Sequence, residues 1–405
     1  SIYEKIIVVL IGYLFIPIII SIPYFLSIYN ISFLDCYFES VSGFTSTGFS
    51  IFSNIKHLDQ SLILWRSSSQ WIGGIYFLFS IFLLIDIFDK NLKKNLTDFL
   101  SIDSSETLKQ SFKIIILYIT LTLFIFFSLK IINIRTFDAF NLSLTLIASG
   151  GFLPVNNLDN LINTDFKRII FSLLMLLSFF SLFLLYNLFY FKKKSLEVFT
   201  EDFYLLIYFL SLLIIFFIFF NFNNDFSSIL LSIVSSISNI GFSSKNVPSN
   251  LYFIFLLLVI IGGSFFSTSS GLRLIKLFSL IKFSINELLS HSRPRQIYLS
   301  KITFSNNYIE QSDINKYFLS VLIFIISLFI VSTLLTTFNF DIDDAFKFGI
   351  LSIMNTVNSH MFGIDNFYFL KVSYLSKLTL ILFMIIGRVE LLTFLIISKK
   401  FLFKN

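Results

Sequence analysis

Residues 41–49 read Val41-Ser42-Gly43-Phe44-Thr45-Ser46-Thr47-Gly48-Phe49. This run of small and hydroxyl-bearing residues follows an apolar segment that begins near Asp35 and is only about half as long as a membrane span. A half-length apolar segment followed by small polar residues is typical of a re-entrant helix and loop. Irregular backbone at membrane depth is tolerated only where protein buries it or where it lines a watery cavity, so the stretch predicts a membrane protein with an internal cavity.

The arrangement recurs roughly every 100 residues, which indicates an internal fourfold repeat. The later copies are Ala148-Ser149-Gly150-Gly151-Phe152, Ser238-Asn239-Ile240-Gly241-Phe242 and Asn355-Thr356-Val357-Asn358. The sequence therefore predicts four units, each made of a helix, a pore half-helix, a filter loop and a second helix, around a central ion pore. We expect these units at residues 1–90, 91–195, 196–300 and 301–405.

The composition excludes most soluble classes of protein. The chain has 405 residues, of which 56% are hydrophobic and 13% charged, and its mean hydropathy is +0.86, whereas a soluble domain carries about 25% charged residues. Cys36 is the only cysteine and the three histidines are far apart, so neither a disulfide nor a transition-metal site is predicted. Because the sequence also has no catalytic or nucleotide-binding motif, it predicts an all-α polytopic membrane protein that is not an enzyme, holds no covalent cofactor and binds no nucleic acid.

Eight apolar stretches are long enough to cross the lipid bilayer as helices. An even number of spans places both termini on one side of the membrane. The loops at 88–113, 192–194 and 276–316 lie on that same side. Together with the termini they carry 18 of the 30 basic residues. This bias predicts that the termini are cytoplasmic. Because the chain begins at Ser1 rather than Met, we expect it to be trimmed at the N-terminus. The stretches lie near 6–28, 65–87, 112–132, 169–191, 203–221, 251–283, 316–337 and 374–398.

Four such units can surround one axis and form a path for a cation. The C-terminal end of each half-helix carries about half a negative charge from the helix dipole, and the loop after it can point backbone carbonyls at the axis. A ring of carbonyl oxygens replaces the hydration shell of a cation, and glycine permits the positive φ and close approach that this requires. Acidic residues of the outer loops either raise the cation concentration at the mouth or are simply solvated: Asp35, Glu39, Asp138, Asp343, Asp344 and Asp365.

Five motifs, in the same order along nearly the whole chain, resemble those of the Trk/Ktr/HKT superfamily of potassium-transporter pore subunits. The resemblance implies a single pore along a pseudo-fourfold axis, with K+ as the transported substrate, in the bacterial inner membrane. It also implies two partners, a second copy in a homodimer and a cytosolic nucleotide-binding regulatory ring of the TrkA/KtrA type. Many members carry two further helices before the first unit. The motifs are Val41–Gly48, Trp65–Gly74, Ser149–Phe152, Ile261–Arg273 and Ile386–Glu390.

The resemblance makes the four small-residue loops the potassium filter, with departures from the usual pattern. Asn358 stands where the fourth loop usually has Gly, and Asn239-Ile240 stand where two Thr are usual. Asparagine tolerates left-handed φ, so the backbone shape survives, while the Asn358 amide either intrudes on the ring or offers an oxygen to the ion. A sodium-permeable or mixed-cation transporter of the same fold is therefore the alternative. In the second loop, either Gly150 or Gly151 is the filter glycine. The predicted filter residues are Thr45, Ser46, Thr47, Gly48, Ala148, Ser149, Gly150, Gly151, Ser238, Asn239, Ile240, Gly241, Asn355, Thr356, Val357 and Asn358.

Two further features predict a gate next to the filter. Gly and Ser/Thr residues interrupt a long apolar stretch at 262–271, where a smooth helix is disfavoured, and broken helices at mid-membrane mark transport sites. The resemblance implies that this segment blocks the pore and moves with the regulatory partner; a simple kink is the alternative. Arg388 lies in the last span, where a charge normally faces the bundle interior, and it is either a barrier to cations or half of a structural ion pair. The predicted gate residues are Gly262, Gly263, Ser267, Thr268, Ser269, Ser270, Gly271, Arg273 and Arg388.

The longest predicted cytoplasmic loop contains the basic segment His291–Arg295. This segment is either a docking surface for the regulatory partner or the positive charge that is usual on the cytoplasmic side. Transport is expected to be driven by the membrane potential, either through a channel or as symport with a second ion.

Overall fold

Helices make up most of the fold. The computed structural model describes residues 2–88, 107–182, 184–185, 200–219, 226–244, 247, 251–292, 311–364 and 367–389. The only strands within these ranges, β1 (Ile261–Gly262) and β2 (Leu272–Arg273), form a short parallel pair in which Ile261 lies opposite Leu272. The α-helices are α1 (Ile2–Phe25), α2 (Phe33–Phe44), α3 (Gln60–Phe88), α4 (Thr107–Ile131), α5 (Thr136–Ile147), α6 (Asp165–Met175), α7 (Thr200–Phe219), α8 (Phe226–Ile237), α9 (Tyr252–Ile260), α10 (Leu274–Ser292), α11 (Gln311–Thr337), α12 (Ile342–Ile353) and α13 (Tyr374–Val389). Short 3-10 turns lie at Ile55–His57, Leu158–Asn160, Leu176–Ser178, His360–Phe362 and Phe369–Lys371.

Five helices within the described ranges are long and apolar enough to cross a membrane, α1, α3, α4, α7 and α11. Large apolar side chains cover their outer faces; Phe15, Phe127 and Phe329 are 60%, 60% and 66% exposed. Extensive exposed apolar surface marks contact with a membrane or a partner, and here it covers helices of spanning length. The predicted all-α polytopic membrane fold is confirmed.

Of the other three predicted spans, two are interrupted within their described residues, and the third is described over part of its length as one helix. The stretch at 169–191 begins within α6 and tightens into the 3-10 turn Leu176–Ser178. The stretch at 251–283 is divided into α9 and α10 by residues 261–273, in agreement with its content of Gly and Ser. The stretch at 374–398 is described as α13, up to Val389. The predicted unit boundaries near 90, 195 and 300 lie outside the described residues and stay predictions.

Four helices of twelve residues, α2, α5, α8 and α12, lie where the half-helices are predicted. Each of the later three packs against the second helix of the preceding unit: α5 against α3, α8 against α6, and α12 against α9. The first half-helix, α2, packs against α13. The packing order therefore closes into a ring, because the last described helix contacts the first half-helix.

A left-handed asparagine precedes three of the half-helices. Asn30, Asn133 and Asn339 have φ values of 49°, 59° and 69°, and each lies three residues before the helix begins. Asparagine is the side-chain-bearing residue that best tolerates this conformation, which turns the chain sharply out of the spanning helix. In the first unit the Ser32 hydroxyl then caps α2 by accepting from the Asp35 amide over 3.2 Å. The length of the turn is thereby the same in each of these units.

Candidate ion pathway

The backbone at the end of each half-helix has the same conformation in all four units. The second residue after the helix is left-handed in every case, with φ of 60° at Ser46, 53° at Ser149, 58° at Asn239 and 49° at Asn355. The next amide donates to the carbonyl five residues earlier: Thr47 to Ser42 (2.9 Å), Gly150 to Thr145 (2.8 Å), Ile240 to Ser235 (3.0 Å) and Thr356 to Leu351 (3.0 Å). A left-handed residue with such a long-range amide bond is a common helix ending. Here it aligns the four loops residue by residue.

This alignment corrects the sequence analysis at the fourth loop. The residue that follows the long-range amide bond is Gly48, Gly151 or Gly241 in the first three loops, and Val357 in the fourth. Asn358 falls one position later, where the other loops have Phe. Val357, and not Asn358, therefore stands at the position of the predicted filter glycine.

The alignment also selects between the two glycines of the second loop, because Gly151 rather than Gly150 matches Gly48. The glycine positions fall into two conformations. Gly48 and Gly241 have φ of 86° and 87°, whereas neither Gly151 nor Val357 is left-handed. A β-branched residue is a genuine outlier at positive φ, so the conformation of the fourth loop is one that valine can adopt.

The four glycine-level positions line one cavity of about 690 Å³, together with parts of the segments that follow each loop. We call it the filter cavity. The loop residues that precede this level are at most 1% exposed: Thr45, Ser46, Thr47, Ala148, Ser149, Ser238, Asn239, Ile240, Asn355 and Thr356. The structure therefore brings the predicted filter residues of all four units together in the interior of the protein.

A buried ion pair braces the wall of the filter cavity behind the first loop. Arg66 donates through Nε to Glu39 Oε1 over 2.8 Å and through Nη2 to the Ser50 hydroxyl over 2.8 Å. Glu39 also accepts from the Ile51 amide over 2.8 Å, and the Arg66 guanidinium lies 4.1 Å from the centre of the Phe152 ring. Both charged side chains are at most 2% exposed, so the pair holds the chain leaving the first loop against the second loop.

Half of the six acidic residues singled out in the outer loops are paired with a neighbouring cation. Three of them are engaged in ion pairs: Asp35 with Lys377 (2.5 Å), Glu39 with Arg66 (2.8 Å) and Asp343 with Lys347 (2.6 Å). Among the described carboxylate, lysine and arginine side chains, the filter cavity is lined by one acid, Asp159, and one base, Arg66. Asp365 lies outside the described residues. The neighbouring cations neutralise these three acids.

Residues 262–271, here called the intramembrane segment, lie directly against the predicted filter loops. The Thr268 hydroxyl donates to the Ile147 carbonyl at the end of α5 over 2.7 Å and lies 3.3 Å from the Ser149 hydroxyl. The Ser270 hydroxyl donates to Asn355 Oδ1 over 3.3 Å. The segment therefore contacts the second and fourth loops at the ends where their half-helices stop.

Arg388 joins the intramembrane segment to the first loop. Its Nη1 donates to the Ser270 hydroxyl over 2.6 Å, its Nη2 donates to the Ser46 hydroxyl over 3.4 Å, and its guanidinium lies 3.9 Å from the centre of the Phe77 ring. The side chain is buried. No carboxylate forms an ion pair with it in the part of the chain that the structure describes, and Glu390 lies outside that part. Among the described residues, a buried positive charge thus lies beside the loops without a carboxylate partner.

Known proteins share both the sequence pattern and the fold, although no protein-family model matches the chain. An uncharacterized cation transporter of Methanocaldococcus jannaschii is 24% identical over 402 residues, covering 95% of this chain and 80% of the relative. The Trk system potassium uptake protein TrkH of Escherichia coli is 25% identical over 403 residues, covering 91% of this chain and 79% of the relative. The crystal structure of the potassium transporter TrkH from Vibrio parahaemolyticus has a TM-score of 0.81 over 98% of this chain and 84% of that chain, at 20% identity.

The chain is therefore similar in sequence to Trk potassium-uptake proteins over 91% of its length, and it shares their fold. The resemblance that rests on the five motifs is thereby confirmed. The similarity of the solved structure extends over nearly the whole chain.

A second break, at the end of α6, holds the intramembrane segment from the other side, and sequence reasoning missed it. The Ser264 amide donates to the Phe179 carbonyl over 3.0 Å, and the Ser269 amide donates to the Ser178 carbonyl over 3.2 Å. These carbonyls are free to accept because α6 tightens into a 3-10 turn just before them. The pair Ser178 and Ser181 within an apolar stretch is the sequence signal that could have indicated the break.

Two acidic residues at the start of α7 were also missed. Glu201 accepts from the Phe265 amide over 3.1 Å, and Asp202 accepts from the Ser181 amide over 2.8 Å. Arg273, a predicted gate residue, donates to the Ser264 and Ser269 carbonyls over 2.8 and 3.0 Å. The Glu201 carboxylate and the Arg273 guanidinium thus satisfy the irregular backbone of the intramembrane segment, and Asp202 does the same for the break after α6, as such backbone requires inside a membrane. Two adjacent acids directly before an apolar stretch are the signal that could have indicated this role.

Proposed function

We propose that this chain is the pore subunit of a potassium-uptake system in the bacterial inner membrane, with both termini in the cytoplasm. The observation that carries the proposal is the convergence of four half-helix ends on one cavity, with Gly48, Gly151 and Gly241 at its wall. The Escherichia coli and Vibrio relatives are named as potassium proteins, and the Methanocaldococcus relative as a cation transporter. The function is therefore transport and not enzymatic catalysis.

The proposed path begins at the filter cavity. A cation that enters the ring of loops exchanges its hydration shell for backbone carbonyl oxygens, and the four half-helix ends add partial negative charge from their dipoles. The membrane potential supplies the driving force, since moving one elementary charge through 100 mV is worth about 2.3 kcal/mol. The buried pair of Glu39 and Arg66 keeps the wall rigid while the ion passes.

We further propose that the intramembrane segment closes the path at the half-helix ends. Its hydroxyls contact the second and fourth loops, and Arg388 adds a positive charge that repels a cation leaving the filter. Opening would break the contacts of Thr268 with Ile147 and of Ser270 with Arg388. The helix α10 begins directly after β2, which follows the intramembrane segment in the chain. In this proposal a nucleotide-binding ring of the TrkA/KtrA type binds a homodimer of this chain. The ring moves the intramembrane segment by displacing α10.

The second candidate is a sodium-permeable or mixed-cation transporter of the same fold. The observation that favours it is Val357 at the position of the fourth filter glycine. The number of carbonyl dipoles and the size of the space between them determine which monovalent cation is preferred, and the Val357 side chain narrows that space. The two candidates share one path and one gate and differ in the ion that passes.

Growth of a potassium-uptake-deficient bacterial strain on low potassium tests the proposal. Expression of the full chain is expected to rescue growth without added sodium, and potassium content should rise accordingly. Rescue that requires added sodium, with sodium accumulating in the cells, favours the second candidate. The matched control is Gly241→Val, since a β-branched residue is strained at φ 87°. Wild-type uptake no greater than that of this variant, at equal membrane content, would overturn both candidates.

A further inference from the structure

A histidine lies in the wall of the filter cavity. The three histidines of the chain, His57, His291 and His360, are all exposed and all belong to the described residues, but His360 alone lines this cavity. It lies three residues after Val357, in the segment that follows the fourth loop. The imidazole therefore contacts the solution that a cation must cross before it reaches the four loops.

The turn that carries His360 is anchored on its buried side. Met361 and Phe362 are at most 1% exposed. Gly363 then adopts a left-handed conformation, and its amide donates to the His360 carbonyl over 2.9 Å. The Gly363 carbonyl in turn accepts from the buried Lys347 Nζ over 3.2 Å. Because the backbone of the turn is held in this way, the imidazole stays at the wall of the filter cavity.

The other charges that line the filter cavity, among the described residues, each face an opposite charge. Arg66 lies 2.8 Å from Glu39, and Asp159 lies 3.9 Å from Arg168. A proton on His360 therefore adds one positive charge to a lining whose other charges are balanced. The charged and titratable groups on the elements around His360 are Glu39 with Arg66, Asp159 with Arg168, Asp343 with Lys347, and Tyr368 with Lys371, while Asp365 lies outside the described residues.

We propose that His360 is a proton-binding site that controls how strongly the filter cavity attracts cations, an inference that rests on the proposed function. Imidazole gains a positive charge as the pH falls from about 8 to about 5. In the proposed orientation the filter cavity opens to the outer solution, so the external pH sets the charge at its wall. External protons thereby oppose the entry of cations.

The size of the effect follows from the repulsion between two unit charges. At a separation of about 6 Å in water, this repulsion lowers the concentration of a monovalent cation about threefold. The charge acts on cations in front of the loops, and a high cation concentration fills the cavity in either protonation state. We therefore expect the half-saturating cation concentration to rise about threefold in acid, while the maximal rate of uptake stays the same.

Rubidium uptake by intact cells of the potassium-uptake-deficient strain tests this inference, at an external pH of about 8 and of about 5.5. The wild-type chain should show the threefold rise at the lower pH. His360→Gln cannot titrate and should give one half-saturating concentration at both pH values. His360→Lys keeps a positive charge throughout and should give the higher value at both. The matched control, His57→Gln, changes an exposed histidine that does not line the filter cavity, and it should respond as the wild type does.

A second measurement distinguishes the charge of His360 from an effect of pH on the shape of the protein. Raising choline chloride from about 0.01 M to about 0.15 M, with sucrose balancing the osmolality, shortens the screening length from about 30 Å to about 8 Å. The difference between the two pH values should then shrink in the wild type. A difference that keeps its full size would overturn the inference, because a conformational change is not screened in this way.

The possible results separate the inference from the function on which it rests. A rise in half-saturating concentration that is lost in His360→Gln and kept in His57→Gln supports both. The full rise in His360→Gln, or no rise in a wild type that takes up rubidium, overturns the inference and leaves the proposed function standing. Uptake by none of the proteins above that of cells without the chain, although each protein is present in the membrane, overturns the proposed function and the inference with it.

Discussion

The guanidinium of Arg388 donates to the hydroxyl of Ser270 over 2.6 Å, and the same guanidinium reaches the Ser46 hydroxyl at 3.4 Å. One side chain thereby connects the last described helix, the interrupted helix of the third unit and the first filter loop. Its contacts in the described part of the chain are hydroxyls and a ring. A charged side chain at membrane depth is costly, which makes Arg388 a candidate functional residue.

Replacing Arg388 with alanine is expected to increase potassium uptake, because it removes the positive charge that opposes a cation at the half-helix ends. A gain of about tenfold corresponds to a barrier lower by about 1.4 kcal/mol. Rubidium uptake into vesicles measures it, with Arg388→Lys as the control that keeps the charge. Unchanged or slower uptake by a folded Arg388→Ala protein would show that the residue is structural and not a barrier.

Deleting residues 265–269 is expected to uncouple uptake from the regulatory partner. The deletion removes the contacts that Thr268 makes with the second loop and leaves the filter loops themselves intact. Uptake in cells with and without the partner should then be equal and high. A deletion of similar length in the exposed part of α10, around Leu288, provides a control in which the intramembrane segment is preserved. If uptake by the protein with the shortened segment still required the regulatory partner, the gate would lie elsewhere in the protein.

Replacing Glu201 with glutamine is expected to raise basal uptake several-fold, since the intramembrane segment loses the charged acceptor of the Phe265 amide. Hydrogen bonds to a charged group are about twice as strong as neutral ones, so glutamine keeps the shape and weakens the hold. Uptake without the regulatory partner is the measurement. Glu287→Gln, on the exposed side of α10, is the control. Equal basal uptake in both variants would show that Glu201 does not hold the intramembrane segment in its closed position.

The ion pair of Glu39 with Arg66 should contribute far more to stability than the pair of Asp343 with Lys347. Glu39 is fully buried, whereas the Asp343 side chain is 67% exposed. Glu39→Gln leaves a buried guanidinium without its counter-charge and should cost about 3 kcal/mol of unfolding free energy; Asp343→Asn should cost less than about 1 kcal/mol. Thermal unfolding in detergent compares the two. Similar losses would mean that burial does not set the strength of these pairs.

Much of the fold could be predicted from local composition. In a membrane protein, a half-length apolar segment before small residues is typical of a re-entrant helix and loop, and few other structures fit it. The register of the fourth loop could not be predicted from the motif alone, since Val357-Asn358 offers no glycine to align. A better signal lies further back. Asn30, Asn133 and Asn223 each precede their filter glycine by 18 residues, and Asn339 precedes Val357 by the same 18. That spacing identifies Val357, because the turn and the half-helix have one fixed length.

The contacts of the gate could not be predicted from the sequence. They join residues of different units, such as Ser269 with Ser178 and Ser270 with Arg388, and no local pattern specifies which hydroxyl faces which partner. The charges at Glu201 and Arg388 were visible in the sequence, but their neighbours depend on how four units pack around one axis.

The packing of α2 against α13 has a consequence for biosynthesis. Domains that emerge first from the ribosome generally fold first. The half-helix α2, however, can contact α13 only after nearly all of the polypeptide has been translated. The ion pair of Asp35 with Lys377 forms at the same stage. During synthesis the inserted part of the protein therefore lacks the helix that closes the ring. A premature stop codon after the third unit would leave an open trough facing lipid, a substrate for quality-control proteases rather than a slower transporter.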